Sequence, residues 1–278
     1  MDYIELNFSM PNGEDRDILL AELSEFAFEG FQEQEFRVIG YIPRLSLADC
    51  KESVDILLAK YGVTECRYIV IENQNWNALW ESSMTPINNA DRIYIRAPFH
   101  EPKEDSLNII IMPKMSFGTG HHTTTRLVSR FILDMDVEGK QGLDMGSGTG
   151  VLSIIAALRG ASHLDAVDID EWAYENSKEN LSFNNISEDI ITPILGGATS
   201  IEGRNYDFIL ANINRNILLN DMSLYVSTLN SGGDLVMSGF LESDVEILSA
   251  KISELGLEIV ASLMEDGWVS LRCHKPQI

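Results

Sequence analysis

The 278-residue sequence is poor in cysteine, poor in positive charge and without a long hydrophobic run. Its three cysteines, Cys50, Cys66 and Cys273, are too few and too scattered for a disulfide framework or a zinc site. No stretch approaches the roughly 18 apolar residues of a membrane-spanning helix. The opening Met-Asp-Tyr-Ile-Glu has neither the basic region nor the apolar run of a secretory leader, so a reduced, soluble, cytoplasmic protein is expected. Cations are scarce as well: 20 Lys+Arg face 43 Asp+Glu, giving a formal charge of −23 and excluding a basic nucleic-acid binder held by phosphate neutralisation. Such a field favours cationic partners, although solubility is a sufficient reason for it.

What is present is a hydrophobic fraction of 45%, enough for packed cores, and a length that suggests two domains. Residues 1–73 read as a small α+β unit. Tyr3 to Phe8 alternates with the two-residue period of a half-buried strand, and Asp15 to Phe28 shows the apolar spacing of a helix. Gly30 and Phe31 begin a short extended piece, and Phe36 to Ile42 is another strand, closed by Pro43. Ser46 is a candidate N-cap for a helix that reaches Lys60 and stops at Gly62, and Val63 to Glu72 is strand-like again. The order strand, helix, strand, strand, helix, strand is that of the ferredoxin-like arrangement. Residues 74–86 read as a linker helix with Trp76 and Trp80 four apart on one face.

Residues 87–278 form the larger domain. Ile93 to Ile95 and Asn108 to Met112 lead into an alternation of helices and strands, the pattern of a Rossmann-like doubly wound sheet. The strands are Gln141 to Met145, His163 to Ile169, Ile190 to Leu195, Tyr206 to Ile213 and Asp234 to Ser238. Leu257 to Leu263 and Trp268 to His274, joined by Glu265-Asp266-Gly267, make a terminal antiparallel hairpin.

The strongest local signal runs from Leu143 to Leu152. A strand end feeds Gly146, Gly148 and Gly150, and an apolar helix follows at once. Glycines there allow positive φ and close approach of a ligand to the backbone, beside the free N–H groups of a helix start. Asp168 ends the next strand 22 positions after Gly146, where a carboxylate can accept from both hydroxyls of a ribose. That spacing suits a nicotinamide dinucleotide or an adenosyl ligand. The third glycine falls two positions after the second instead of three, which departs from the dinucleotide fingerprint, and Asp144 suits a cationic ligand better than a pyrophosphate. Adjacent His121 and His122 lack the companions of a ligand set, so no metal is expected.

On these residues the chain resembles the class I S-adenosylmethionine-dependent methyltransferases. More narrowly, Met115-Ser116-Phe117-Gly118-Thr119-Gly120-His121-His122-Thr123-Thr124-Thr125-Arg126 and Leu210-Ala211-Asn212-Ile213 resemble motifs of the ribosomal protein L11 methyltransferase family. The resemblance implies a substrate-recognition domain at 1–73, a linker helix at 74–86 and a methyltransferase domain at 87–278. It places cofactor contacts on Phe117, Thr125, Gly146, Gly148, Asp168 and Asn212, with Asn212 also orienting the incoming amine. It implies S-adenosylmethionine as cofactor, S-adenosylhomocysteine as product, and amino groups of ribosomal protein L11, lysine side chains and the N-terminal amine, as acceptors. The histidine pair would shape the cofactor lid. A monomer without direct nucleic-acid or membrane contact is expected. After Leu210-Ala211-Asn212-Ile213 the sequence continues Asn214-Arg215-Asn216, so it is not the Asn-Pro-Pro-Tyr motif of adenine and glutamine amide methyltransferases. Methylation of RNA or of a small molecule, and a cofactor-binding module without turnover, are the alternatives.

Overall fold

A computed structural model describes residues 3–11, 13–71, 85–89, 92–114 and 116–277. The chain divides into two compact units, Met1–Leu79 and Trp80–Ile278. The helix expected at the linker, with Trp76 and Trp80, lies outside the described residues, as does Met115.

The first unit runs β1 (Tyr3–Ser9), α1 (Glu14–Leu23), β2 (Gly30–Glu33), β3 (Arg37–Pro43), α2 (Arg44–Lys60), β4 (Cys66–Ile71). Its sheet has the order β2-β3-β1-β4 with antiparallel neighbours, the ferredoxin-like topology. Alternation along β1 buries Ile4, Leu6 and Phe8, and Leu6 and Phe8 pack with Leu19, Leu23, Val54 and Leu58 of the helices. The opposite face carries Tyr3, Glu5 and Asn7, paired with Ile71, Ile69 and Arg67. Two local expectations are corrected. The first helix stops at Leu23, and Phe26 reaches the core from a turn. The second begins at Arg44 directly after Pro43, so Ser46 lies inside it and caps nothing. Proline fixes φ and has no N–H to leave unpaired, which suits it to the residue before a helix.

The second unit begins with a small sheet of β5 (Ile87–Asn89), β6 (Ile93–Arg96) and β7 (Leu107–Ile110). There follow α3 (Thr123–Asp134), β8 (Gln141–Met145), α4 (Val151–Leu158), β9 (His163–Asp168), α5 (Glu171–Phe183), β10 (Ile191–Leu195), a 3-10 turn Ala198–Ile201, β11 (Tyr206–Asn212), α6 (Arg215–Thr228), β12 (Leu229–Leu241), α7 (Val245–Glu254), β13 (Glu258–Glu265) and β14 (Trp268–His274). The seven-stranded sheet has the order β10-β9-β8-β11-β12-β14-β13. Its first five strands are parallel, and the expected hairpin adds β14 antiparallel to β12. Pro193 sits on the edge strand β10, where a missing N–H costs no ladder bond.

Cores cover both faces of this sheet, as a parallel sheet requires. One contains residues of α3, α4 and α5 with the small sheet, and the other contains residues of α6 and α7. Strand order reverses between β8 and β11, which opens a crevice at their carboxyl ends. Among the described residues no helix is long and apolar enough to cross a membrane.

Candidate active site

A cavity of about 880 Å³ occupies that crevice. Phe117, Gly146, Gly148, Asp168 and Asn212, five of the six residues singled out from the sequence, line it. Gly146 and Gly148 lie at φ 71° and 54°, which L side chains rarely adopt. A Cβ on Gly146 would collide with Ile213 Cγ2, and one on Gly148 with the Phe117 carbonyl oxygen. The turn therefore requires glycine both for conformation and for room.

The 116–122 loop is bonded onto this turn. Thr149 N donates to the Phe117 carbonyl at 2.9 Å, and Thr149 Oγ1 donates to the Gly118 carbonyl at 2.7 Å. The Phe117 side chain stays 52% exposed at the cavity wall. His122 is the N-cap of α3: its Nδ1 accepts from Thr124 N at 3.3 Å, and its ring lies 4.8 Å from Trp268 and 5.3 Å from Phe117. Burial, and then the Arg126 charge, push its pKa below the ordinary histidine value. His121 is exposed, with Nδ1 3.1 Å from Thr119 Oγ1.

Asp168, at the end of β9, accepts from Gly148 N at 2.8 Å through Oδ2 and from Asp170 N at 3.0 Å through Oδ1. Two backbone donors hold the carboxylate still, and each oxygen keeps a further lone pair for a ligand hydroxyl. Asn212, at the end of β11, is 8% exposed; its Oδ1 is buried and has no partner. An orphaned buried amide oxygen at a cavity wall is unfavourable until a donor meets it. Thr125 is 1% exposed and is not among the lining residues; its Oγ1 lies 3.5 Å from Asn212 Nδ2, behind the wall.

Asp144 is fully buried and outside the cavity lining. It does not face a cationic ligand as its place before the glycines suggested. Oδ2 accepts from Ser153 N at 3.1 Å and from Ser153 Oγ at 2.7 Å, tying the strand end to α4.

The sequence reading missed further lining residues. Ile169, 76% exposed, stands at the cavity beside Gly196, Gly197 and Ala198, which follow β10. Asn216, Asn220 and Asp221 contribute a polar wall from α6. The only sequence signal for these was proximity to strand ends, because the helix that carries the polar wall was itself not foreseen. With its glycine cradle, anchored carboxylate and amide-edged wall, the cavity can hold a ribose-bearing ligand against the backbone and present a donor-seeking oxygen to a second reactant.

The family model for "Ribosomal protein L11 methyltransferase (PrmA)" matches residues 12–276. A ribosomal protein L11 methyltransferase of Porphyromonas gingivalis is 39% identical over 285 residues, covering 98% of this chain and 97% of the relative. One from Bacteroides fragilis is 39% identical and covers 92% of each chain. Among solved structures, the ribosomal protein L11 methylase of Lactobacillus delbrueckii subsp. bulgaricus superposes with a TM-score of 0.64 at 24% identity, covering 70% of this chain and all of that one.

Proposed function

Since the chain belongs to the ribosomal protein L11 methyltransferase family, we propose that it transfers methyl groups to amino groups of ribosomal protein L11. The cofactor in this reading is S-adenosylmethionine, and the residues present fit it. The glycine turn has no room for a Cβ, Asp168 offers free lone pairs at a fixed position, and Asn212 Oδ1 needs a donor. Gly146 and Gly148 would admit the ligand to the backbone, Asp168 would take the ribose hydroxyls, and Phe117 would cover it from the loop. Thr125 would act on the ligand's surroundings through Asn212. When bound, the cofactor supplies an electrophilic methyl group on a sulfonium.

The orphaned Asn212 oxygen is the observation that carries the reading. A lysine amine attacks only as the free base, and its ordinary pKa is about 10.4, so the ammonium must lose a proton first. A neutral amine retains N–H donors, and Asn212 Oδ1 can accept one of them and hold the nitrogen lone pair toward the methyl group. The proton lost from the ammonium goes to solvent before the attack, and both N–H bonds of the free amine stay intact while the lone pair reaches the methyl group. Holding both reactants in line contributes on the order of 7 to 11 kcal/mol in all, of which the Asn212 hydrogen bond supplies a part.

Transfer of labelled methyl groups from S-adenosylmethionine to purified L11, with RNA and small amines as competing acceptors, tests the assignment. Incorporation into RNA alone would overturn it. Asn212→Ala should lower turnover by on the order of 100-fold while S-adenosylhomocysteine still binds. Full turnover in that variant would remove Asn212 from the reaction.

A further inference from the structure

The first unit holds a second cavity, of about 310 Å³, at one end of the open sheet face. Asn7 and Ser9 of β1, Arg37 of β3 and Arg67 of β4 line it, with Glu65 and Ile69 beside them. Strand register brings these residues together: Ser9 pairs with Arg37 and Asn7 pairs with Arg67. Arg37 is fixed across the strands by its Nε, which donates to Asn7 Oδ1 at 2.7 Å. That bond leaves the two terminal nitrogens of the Arg37 guanidinium for another acceptor.

The charges of this unit make the pair informative. Residues 1–79 hold six Lys+Arg against 15 Asp+Glu, a net −9, so a cation there has acids in abundance to pair with. Arg16 pairs with Glu33 at 2.6 Å, Lys51 with Asp55 at 2.6 Å and Lys60 with Glu22 at 2.9 Å, and Arg44 is engaged as well. Arg37 and Arg67 enter no ion pair among the described residues, and they are the two that share a cavity. Glu65 lines the same cavity yet is ion-paired to neither.

We propose that this cavity is a docking site for a single carboxylate of the acceptor protein, gripped by the Arg37 and Arg67 guanidiniums with Asn7 and Ser9 as neutral partners. The proposal rests on the methyl-acceptor reading above and adds to it a recognition point on the first unit, whereas the cavity that holds Asn212 belongs to the second. Guanidinium N–H groups match carboxylate oxygens in geometry and charge. A phosphate would match too, but a nucleic acid brings a run of negative charge against a unit of net −9, whereas a basic protein with one acidic side chain at this point is attracted everywhere else. The fork then supplies register: only an acceptor with an acid at the right place satisfies both the acidic surround and the arginine pair.

The test uses the full chain with free L11 as acceptor. Arg37→Gln and Arg67→Gln should each raise KM for L11 by about 10-fold, with kcat and S-adenosylhomocysteine affinity unchanged. Replacing the acids of L11 one at a time with their amides should yield one variant that reproduces this loss and adds nothing to Arg67→Gln. An unchanged KM, or full additivity for every acid, would overturn the proposal. Glu65→Gln removes the carboxylate that lines the cavity and should not weaken L11 binding; a loss equal to that of Arg67→Gln would also overturn the proposal. A loss confined to ribosome-assembled L11, absent with the free protein, would point to an RNA phosphate instead and reject the carboxylate. Independently of any acceptor, titration with succinate should move the Nε–H resonances of Arg37 and Arg67 in an NMR spectrum. No movement would sink the docking site even if L11 is methylated. Movement without methylation of L11 would leave the pocket standing and reject the acceptor assignment.

Discussion

Asp144 stands two residues before the glycine turn and is fully buried. Burial, partly opposed by its hydrogen bonds to Ser153, pushes its pKa from 3.8 up to about 6, and Oδ1 has no partner. Between those two values the folded state keeps a proton that the unfolded state releases, so stability falls as pH rises through the window and levels off above it. Asp144→Asn removes this dependence. The unfolding free energy of wild type minus that of the variant should therefore drop by up to about 3 kcal/mol between about pH 4 and pH 7, read by urea denaturation. A difference that stayed flat, or rose with pH, would mean that Asp144 is ionised at no cost.

At the scale of elements, the terminal hairpin braces the loop that walls the cavity. Glu265, at the end of β13, accepts from Arg126 Nη2 at 2.5 Å and Nε at 3.1 Å and pairs with Arg130 Nη2 at 2.9 Å. Arg126 Nη1 also donates to the His121 carbonyl, and Trp268 of β14 supports the His122 ring against Phe117. Hydrogen bonding by Arg126 is the largest influence holding the Glu265 carboxyl below its usual range. Stability from a carboxylate held low is fully present above the unfolded value, near 4.5, and is lost as pH falls through the folded one. Glu265→Gln should lower the melting temperature at neutral pH, and the gap from wild type should close as the pH is taken well below 4. A gap that persisted in acid would show that packing, not charge, carries the contribution.

The same scale shows where sequence patterning succeeded. Alternation and apolar runs locate β1, β8, β9, β11 and the hairpin closely: β1, β8, β9, β11 and β14 have buried residues, and the end of β13 alternates half-buried with exposed residues. α6 and α7 went unread, although Leu218, Met222 and Tyr225 do recur at helical spacing; the polar residues between them dilute the stripe. β5, three residues long, is set by pairing with β6 and has no period of its own. Ser46 had the chemistry of a cap, but Pro43 fixes the chain direction three residues earlier.

For the whole molecule, the −23 charge acts on encounter more than on fold. A basic ribosomal protein is steered toward this surface, and its association rate should fall by about 10-fold between low and roughly physiological salt, with dissociation little changed. Stopped-flow mixing of L11 with the protein at several ionic strengths measures this. A rate independent of salt would confine recognition to short-range contacts such as the arginine pair.

The order of most strands, the glycine turn with the acid that ends the next strand and the family motifs are legible in the sequence itself, since each depends on local spacing or on residues that only one backbone conformation tolerates. Tertiary structure alone decided which of these residues share a cavity. It turned Asp144 inward onto α4, set Thr125 against Asn212 outside the cavity lining, and brought Asn216, Asn220 and Asp221 of α6 to the cavity. It also set Arg37 beside Arg67, 30 residues apart in the chain, through the register of three strands. Register and packing are collective properties of the sheet, and no window of sequence contains them.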